Sequence, residues 1–210
     1  MFPRRLVATL LGLTLAFAAL AVDEGIDYVK LSTPQPTETG DKVEVVEVFW
    51  YGCPHCFTLE PFLDRWLQSI PSHAEFRRMP AVLGPGWEPH AHAFYAAELL
   101  GVTDKLHLAL FKAMHDENRK LLRKQDLVAF AGEQGIDKQA FADAYDSFYV
   151  AMKVRRAVEM GKRYGIDGVP ALVVNGKYRT SATLTGGNAR LMEVLDHLVE
   201  REAAEAAGGS

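Results

Sequence analysis

Val43-Glu44-Val45-Val46-Glu47-Val48-Phe49 is apolar and β-branched on both faces apart from two acids, which predicts a central strand covered on both sides. Helical spacing takes over four residues later. Phe57, Leu59, Phe62, Leu63, Trp66, Leu67 and Ile70 fall on one side of a helix that opens with Pro54, where a missing N–H costs nothing, and ends by Pro71. A second core strand is expected over Glu75 to Met79, and a short one near Tyr28 to Leu31. Gly84-Pro85-Gly86 then breaks the pattern. Up to about Gly165 the periodicity is helical: Pro89–Leu100, Lys105–Glu117 after the capping pair Thr103-Asp104, Gln125–Gln134, Lys138–Tyr145 after Asp137, and Phe148–Tyr164 after Ser147. Strands return with Ala171–Val174 and Lys177–Thr180, joined by the hairpin signal Asn175-Gly176. A last helix runs from an Asn188 cap to about Arg201, and 204–210 reads as a flexible tail. The fold class is α/β, interrupted by roughly 80 residues of helix.

The first 21 residues do not fit this pattern. Arg4 and Arg5 precede an uncharged run from Leu6 to Leu20, and Ala19-Leu20-Ala21 supplies small residues for cleavage. This predicts a secretory signal peptide over 1–21, with Ala16-Phe17-Ala18 as another cleavage site. The alternative, an uncleaved anchor, has only this short apolar run where a span needs about 20 residues. A net charge of -4 and a charged fraction of 24% point to neither a nucleic-acid binder nor a disordered acidic chain.

The chain has two cysteines, and both lie in Cys53-Pro54-His55-Cys56, at the junction of the central strand and the helix. A helix N-terminus offers free N–H groups and partial positive charge, which favour a thiolate, the reactive form of cysteine. A zinc site would need further ligands; His90-Ala91-His92 is the nearest pair and reads better as a solvated helix start. Haem attachment requires His after the second Cys, and Phe57 stands there. An exported chain with one closely spaced pair therefore reads as a dithiol–disulfide redox protein. Cys53, at the helix start, is the expected attacked sulfur, and Cys56, one turn in, the resolving one. His55 is placed to stabilise the Cys53 thiolate, which makes the disulfide easy to give away. Glu47, an acid inside the apolar strand, is a candidate proton relay for Cys56, or an edge-facing surface acid. Pro170, in Gly168-Val169-Pro170 before a strand, is either a routine strand-start proline or part of a position-fixing cis peptide.

Phe49-Trp50-Tyr51-Gly52-Cys53-Pro54-His55-Cys56, the helical insertion, and Gly168-Val169-Pro170-Ala171 before Val173-Val174-Asn175-Gly176-Lys177-Tyr178 resemble the DsbA family of bacterial periplasmic thiol:disulfide interchange proteins. The resemblance spans roughly residues 25–200. It implies a thioredoxin fold made of 22–83 and 165–203, with an all-helical domain inserted over 84–164. It implies that Val169 and cis-Pro170 face the disulfide and bind substrate backbone and that Glu47 is buried; Glu60 matches an acidic position of the family, and only a minor role is expected of it. The expected partners are exported proteins with reduced cysteines and a quinone-linked inner-membrane oxidase of the DsbB type, acting on a periplasmic monomer without a cofactor. A disulfide isomerase or reductase, and a Cys/His metal-binding module, are the competing functions. Trp50-Tyr51-Gly52 and Pro61 depart from the family pattern and bear on groove shape rather than on the reaction.

Overall fold

The computed structural model describes residues 21–208; residues 1–20, and with them nearly all of the expected signal peptide, lie outside the described residues. Five strands form one sheet in the order β1-β5-β4-β2-β3. They are β1 (Tyr28–Lys30), β2 (Val43–Phe49), β3 (Ala74–Pro80), β4 (Ala171–Val174) and β5 (Tyr178–Thr180). β2 pairs parallel with β3 and antiparallel with β4, and β5 joins β4 to β1 through antiparallel ladders. All seven residues of β2 are buried, as its unbroken apolar character requires. Alternation puts Val43, Val45 and Glu47 on one face and Glu44, Val46 and Val48 on the other.

The first face is covered by α1 (Pro54–Leu67) and α8 (Asn188–Gly208), with Leu59, Leu63, Leu191, Val194 and Leu195 packed on Val45, Leu172 and Val174. Val46 and Val48 of the second face belong to a separate core shared with the helices that follow β3. These are α2 (Glu88–Leu99), α3 (Thr103–His115), α4 (Lys124–Glu133), α5 (Lys138–Tyr145) and α6 (Phe148–Arg163). Asp137 and Ser147 cap α5 and α6 through their side chains, as their positions in the sequence suggest.

Local signals misplace three features. Thr103 and Asp104 lie inside α3, and the cap position is Val102, with no side-chain cap bond. A one-turn helix, α7 (Ala182–Thr185), has no sequence signature beyond Ser181, which caps it. The expected flexible tail from 204 is helix through Gly208. Alanines favour that continuation, and Glu202 anchors it by accepting from Lys177 Nζ and Asn175 Nδ2, each at 2.6 Å. Asn175 and Gly176 both take positive φ, 49° and 62°, as the tight hairpin needs. A Cβ on Gly176 would lie 2.1 Å from the Gln35 carbonyl oxygen, so the turn also accommodates the N-terminal segment crossing it.

Candidate active site

β2 ends at Phe49 and the chain turns through Trp50, Tyr51 and Gly52 into α1. The Trp50 ring lies against Gly52, where a Cβ would come within 2.3 Å of it, and stacks on Trp87 at 4.2 Å. Cys53 takes the N-cap position of α1, its N–H bound to the Trp50 carbonyl at 2.9 Å. Its side chain is less open than a helix start suggests, with 7% exposure, while Cys56 is fully buried and Pro54 and His55 are exposed. The Cys56 thiol, then the backbone N–H groups of Cys56 and His55 and the His55 ring, lower the Cys53 pKa to about 6 against the cost of burial. Burial, together with the hydrogen bond to Cys53, pushes Cys56 far up. One sulfur is thus set up as a thiolate and the other as a thiol.

Val169-Pro170 is a cis peptide. The Val169 carbonyl oxygen lies 3.4 Å from Cys53 Sγ, so two segments more than a hundred residues apart meet at the reactive sulfur. A cleft of about 340 Å³ opens on the Val169-Pro170 side, lined by Gly168, Val169, Pro170, Arg179 and Leu184.

Beneath the cysteines lies a polar cluster. Glu47 is fully buried, so the surface-acid reading fails. Arg78, its parallel register partner on β3, donates from Nε to Glu47 Oε2 and from Nη2 to Glu60 Oε2, both at 3.0 Å. His107 Nε2 donates to Glu60 Oε1 at 3.1 Å, and the Tyr51 hydroxyl lies 2.9 Å from His107 Nδ1. Burial and the Glu60 charge push the Glu47 pKa up to about 8. Although burial opposes it, the hydrogen bond from His107, then the charge and hydrogen bond of Arg78, lower that of Glu60. Glu47, Glu60 and His107 bring ligand atoms within 4.8 Å of one another. The Arg78 guanidinium already supplies the positive charge between them, which is the wrong environment for a metal cation.

The DSBA-like thioredoxin domain family matches residues 44–199. The chain is 38% identical to the thiol:disulfide interchange protein DsbA of Pseudomonas syringae pv. tomato, over 95% of this chain and 92% of that one. Against DsbA of Azotobacter vinelandii the identity is 42%, over 85% and 83%. The crystal structure of Pseudomonas aeruginosa DsbA superposes with a TM-score of 0.84 at 39% identity, covering 87% of this chain and 95% of that one. The chain belongs to the DsbA family. It is a thiol:disulfide oxidoreductase with a thioredoxin fold and a helical insertion.

Arg78, His107 and Tyr51 carry no motif of their own, and Glu60 ranks higher in the structure than a minor role implies. Pairing β2 with β3 in parallel would have found Arg78 opposite Glu47. His90 and His92 do not form a solvated helix start. His90 is 1% exposed and donates from Nε2 to the Leu121 carbonyl at 2.7 Å, and His92 Nδ1 donates to that of Tyr145 at 3.0 Å. Both tie α2 to its neighbours in the insertion.

Proposed function

We propose that this DsbA-family protein is an oxidase that donates a Cys53–Cys56 disulfide to exported proteins. The observation that carries the reading is the unequal pair: a Cys53 thiolate favoured at the α1 N-terminus over a buried Cys56 thiol. A substrate thiolate attacks Cys53 Sγ, the Cys53–Cys56 bond breaks, and Cys56 leaves. Its nascent thiolate, costly in that buried position, takes a proton from Glu47, whose carboxyl holds one near neutrality. The second substrate thiolate then attacks the substrate sulfur of the mixed disulfide and expels Cys53 as a stabilised thiolate. Two electrons pass to the protein, and the substrate leaves with a disulfide.

His55, exposed beside Cys53, stabilises that thiolate, and Pro54 opens the helix that carries it. The Val169 carbonyl, which faces the sulfur, and Pro170 hold the substrate backbone as one more strand segment. A quinone-linked membrane oxidase of the DsbB type reoxidises the dithiol. The setting is the periplasm, reached through a signal peptide over 1–21; no helix among the described residues is long and apolar enough to cross a membrane. The units are a thioredoxin-like domain, 22–83 with 165–203, and a helical domain over 84–164. The protein works as a monomer without a resident cofactor or nucleic acid.

The test is a reduced peptide with two cysteines mixed with the oxidised protein. One peptide disulfide is expected per protein molecule, with the protein recovered as a dithiol. A peptide that stays reduced would refute the oxidase reading.

A further inference from the structure

Two buried carboxylates share one guanidinium, so one negative charge has a counterion and the other carboxyl is better off protonated. Hydrogen bonding decides which. Both oxygens of Glu60 are taken, Oε2 by Arg78 and Oε1 by His107. Glu47 has Arg78 on Oε2 alone, and its Oε1 has no partner among the described residues. His107 is 5% exposed and its ring sits between Glu60 and Tyr51, itself 1% exposed. A carboxylate only accepts, so Nε2 must carry a hydrogen. A neutral ring protonated there leaves Nδ1 to accept the Tyr51 hydroxyl hydrogen, so both ring nitrogens are satisfied without a buried charge. His115 holds the same loop from one α3 end, donating from Nε2 to the Tyr51 carbonyl at 2.8 Å.

We propose that His107, carried by the helical insertion, is a positioning residue that pins Glu60 as the carboxylate of the pair and so keeps the proton on Glu47, where Cys56 needs it. The inference rests on the proton role proposed for Glu47, and it makes the insertion part of the redox machinery. The cluster is faced by Arg78 from β3, Cys56 and Asp64 from α1, Tyr51 from the loop and His107 from α3; burial and the Glu60 charge raise Glu47 more than Arg78 lowers it, whereas the His107 hydrogen bond and Arg78 bring Glu60 down. Burial holds His107 below the ordinary histidine range, consistent with a neutral ring.

Nuclear magnetic resonance of the reduced protein, with labelled histidine nitrogens and glutamate carboxyls, tests this without using activity. At neutral pH His107 is expected to carry its proton on Nε2 alone, and Glu47 to titrate well above Glu60. In His107→Leu, Glu60 should rise and Glu47 fall by about one pH unit each, a tenfold change in each protonation equilibrium. His107→Gln, which restores a donor to Glu60, should return most of the difference. A doubly protonated His107 in the unaltered protein would overturn the proposal even if the leucine variant failed to fold. So would a folded His107→Leu variant whose Glu47 titration had not moved. A protein with the expected titrations but no capacity to oxidise thiols would sink the oxidase reading instead and leave the sorting of the proton in place.

Discussion

Cys53→Ser is expected to reduce disulfide transfer to the rate of the uncatalysed reaction, and Cys56→Ser to leave a protein that cannot form the disulfide it donates. Without Cys53 Sγ there is no sulfur in front of Val169 for a substrate thiolate to attack, and the fully buried Cys56 cannot take its place. Without Cys56 the attacked sulfur remains but has no internal partner. A Cys56→Ser protein loaded at Cys53 with a small thiol should therefore accumulate a covalent complex with a peptide that has a single cysteine, visible on a non-reducing gel, and should release a two-cysteine peptide oxidised after that one exchange. Complexes forming through Cys56 in the Cys53→Ser protein would reverse the assignment of the two sulfurs. Both variants should fold, because Ser replaces a thiol at an N-cap position that Ser itself favours, and at a buried one where the change is a single atom.

Arg78→Met should cost the fold about 3–5 kcal/mol, the usual penalty for removing one partner of a buried ion pair. Met fills much of the volume but leaves Glu47 and Glu60 without their shared counterion. The pH dependence has a definite sign. Glu47 in the intact protein has a folded pKa of about 8 against an ordinary 4.5, so its stabilising contribution is present below 4.5 and is lost as pH rises through about 8. Glu60 is shifted downward, so it adds stability above 4.5 that is lost as pH falls through its own lowered value. In Arg78→Met the Glu60 carboxylate loses one of its two hydrogen-bonding groups, and the variant should regain stability in mild acid as both acids protonate. Urea denaturation in acidic and alkaline buffer measures this. A variant equally destabilised in both would mean that Arg78 acts through packing rather than charge.

The features legible in the sequence are those with local causes. The strand-to-helix junction at Cys53, the Asn175-Gly176 turn, the caps at Asp137 and Ser147 and the meeting of Val169-Pro170 with a strand all rest on neighbours a few residues apart. Glu47 stood out because an acid in an apolar strand needs a partner. What could not be read was the partner itself. Arg78 belongs to another strand, His107 to the insertion, and their usefulness arises only when β2, β3, α1 and α3 are packed together. His90 failed for the same reason: a polar residue near a helix start looks solvated until the Leu121 carbonyl is brought against it. The helical continuation to Gly208 depends on Glu202 reaching Lys177 and Asn175 on the hairpin, a contact that composition alone does not announce.

The proposed oxidase depends on a Cys53 thiolate that the fold stabilises, which makes the disulfide easy to give away. Moving the thiol from 9.0 to about 6 favours the reduced form at pH 7 by on the order of 1 kcal/mol, equivalent to a few tens of millivolts. That contribution is fully present above the unfolded value of 9.0 and disappears as pH falls through about 6. Equilibrating the protein with buffers of reduced and oxidised glutathione measures the sum of all such effects. The expected potential lies well above the roughly −270 mV of thioredoxin, and its excess should shrink as the buffer is taken down through about pH 6. A potential at or below thioredoxin's would contradict the account and make the protein a reductase.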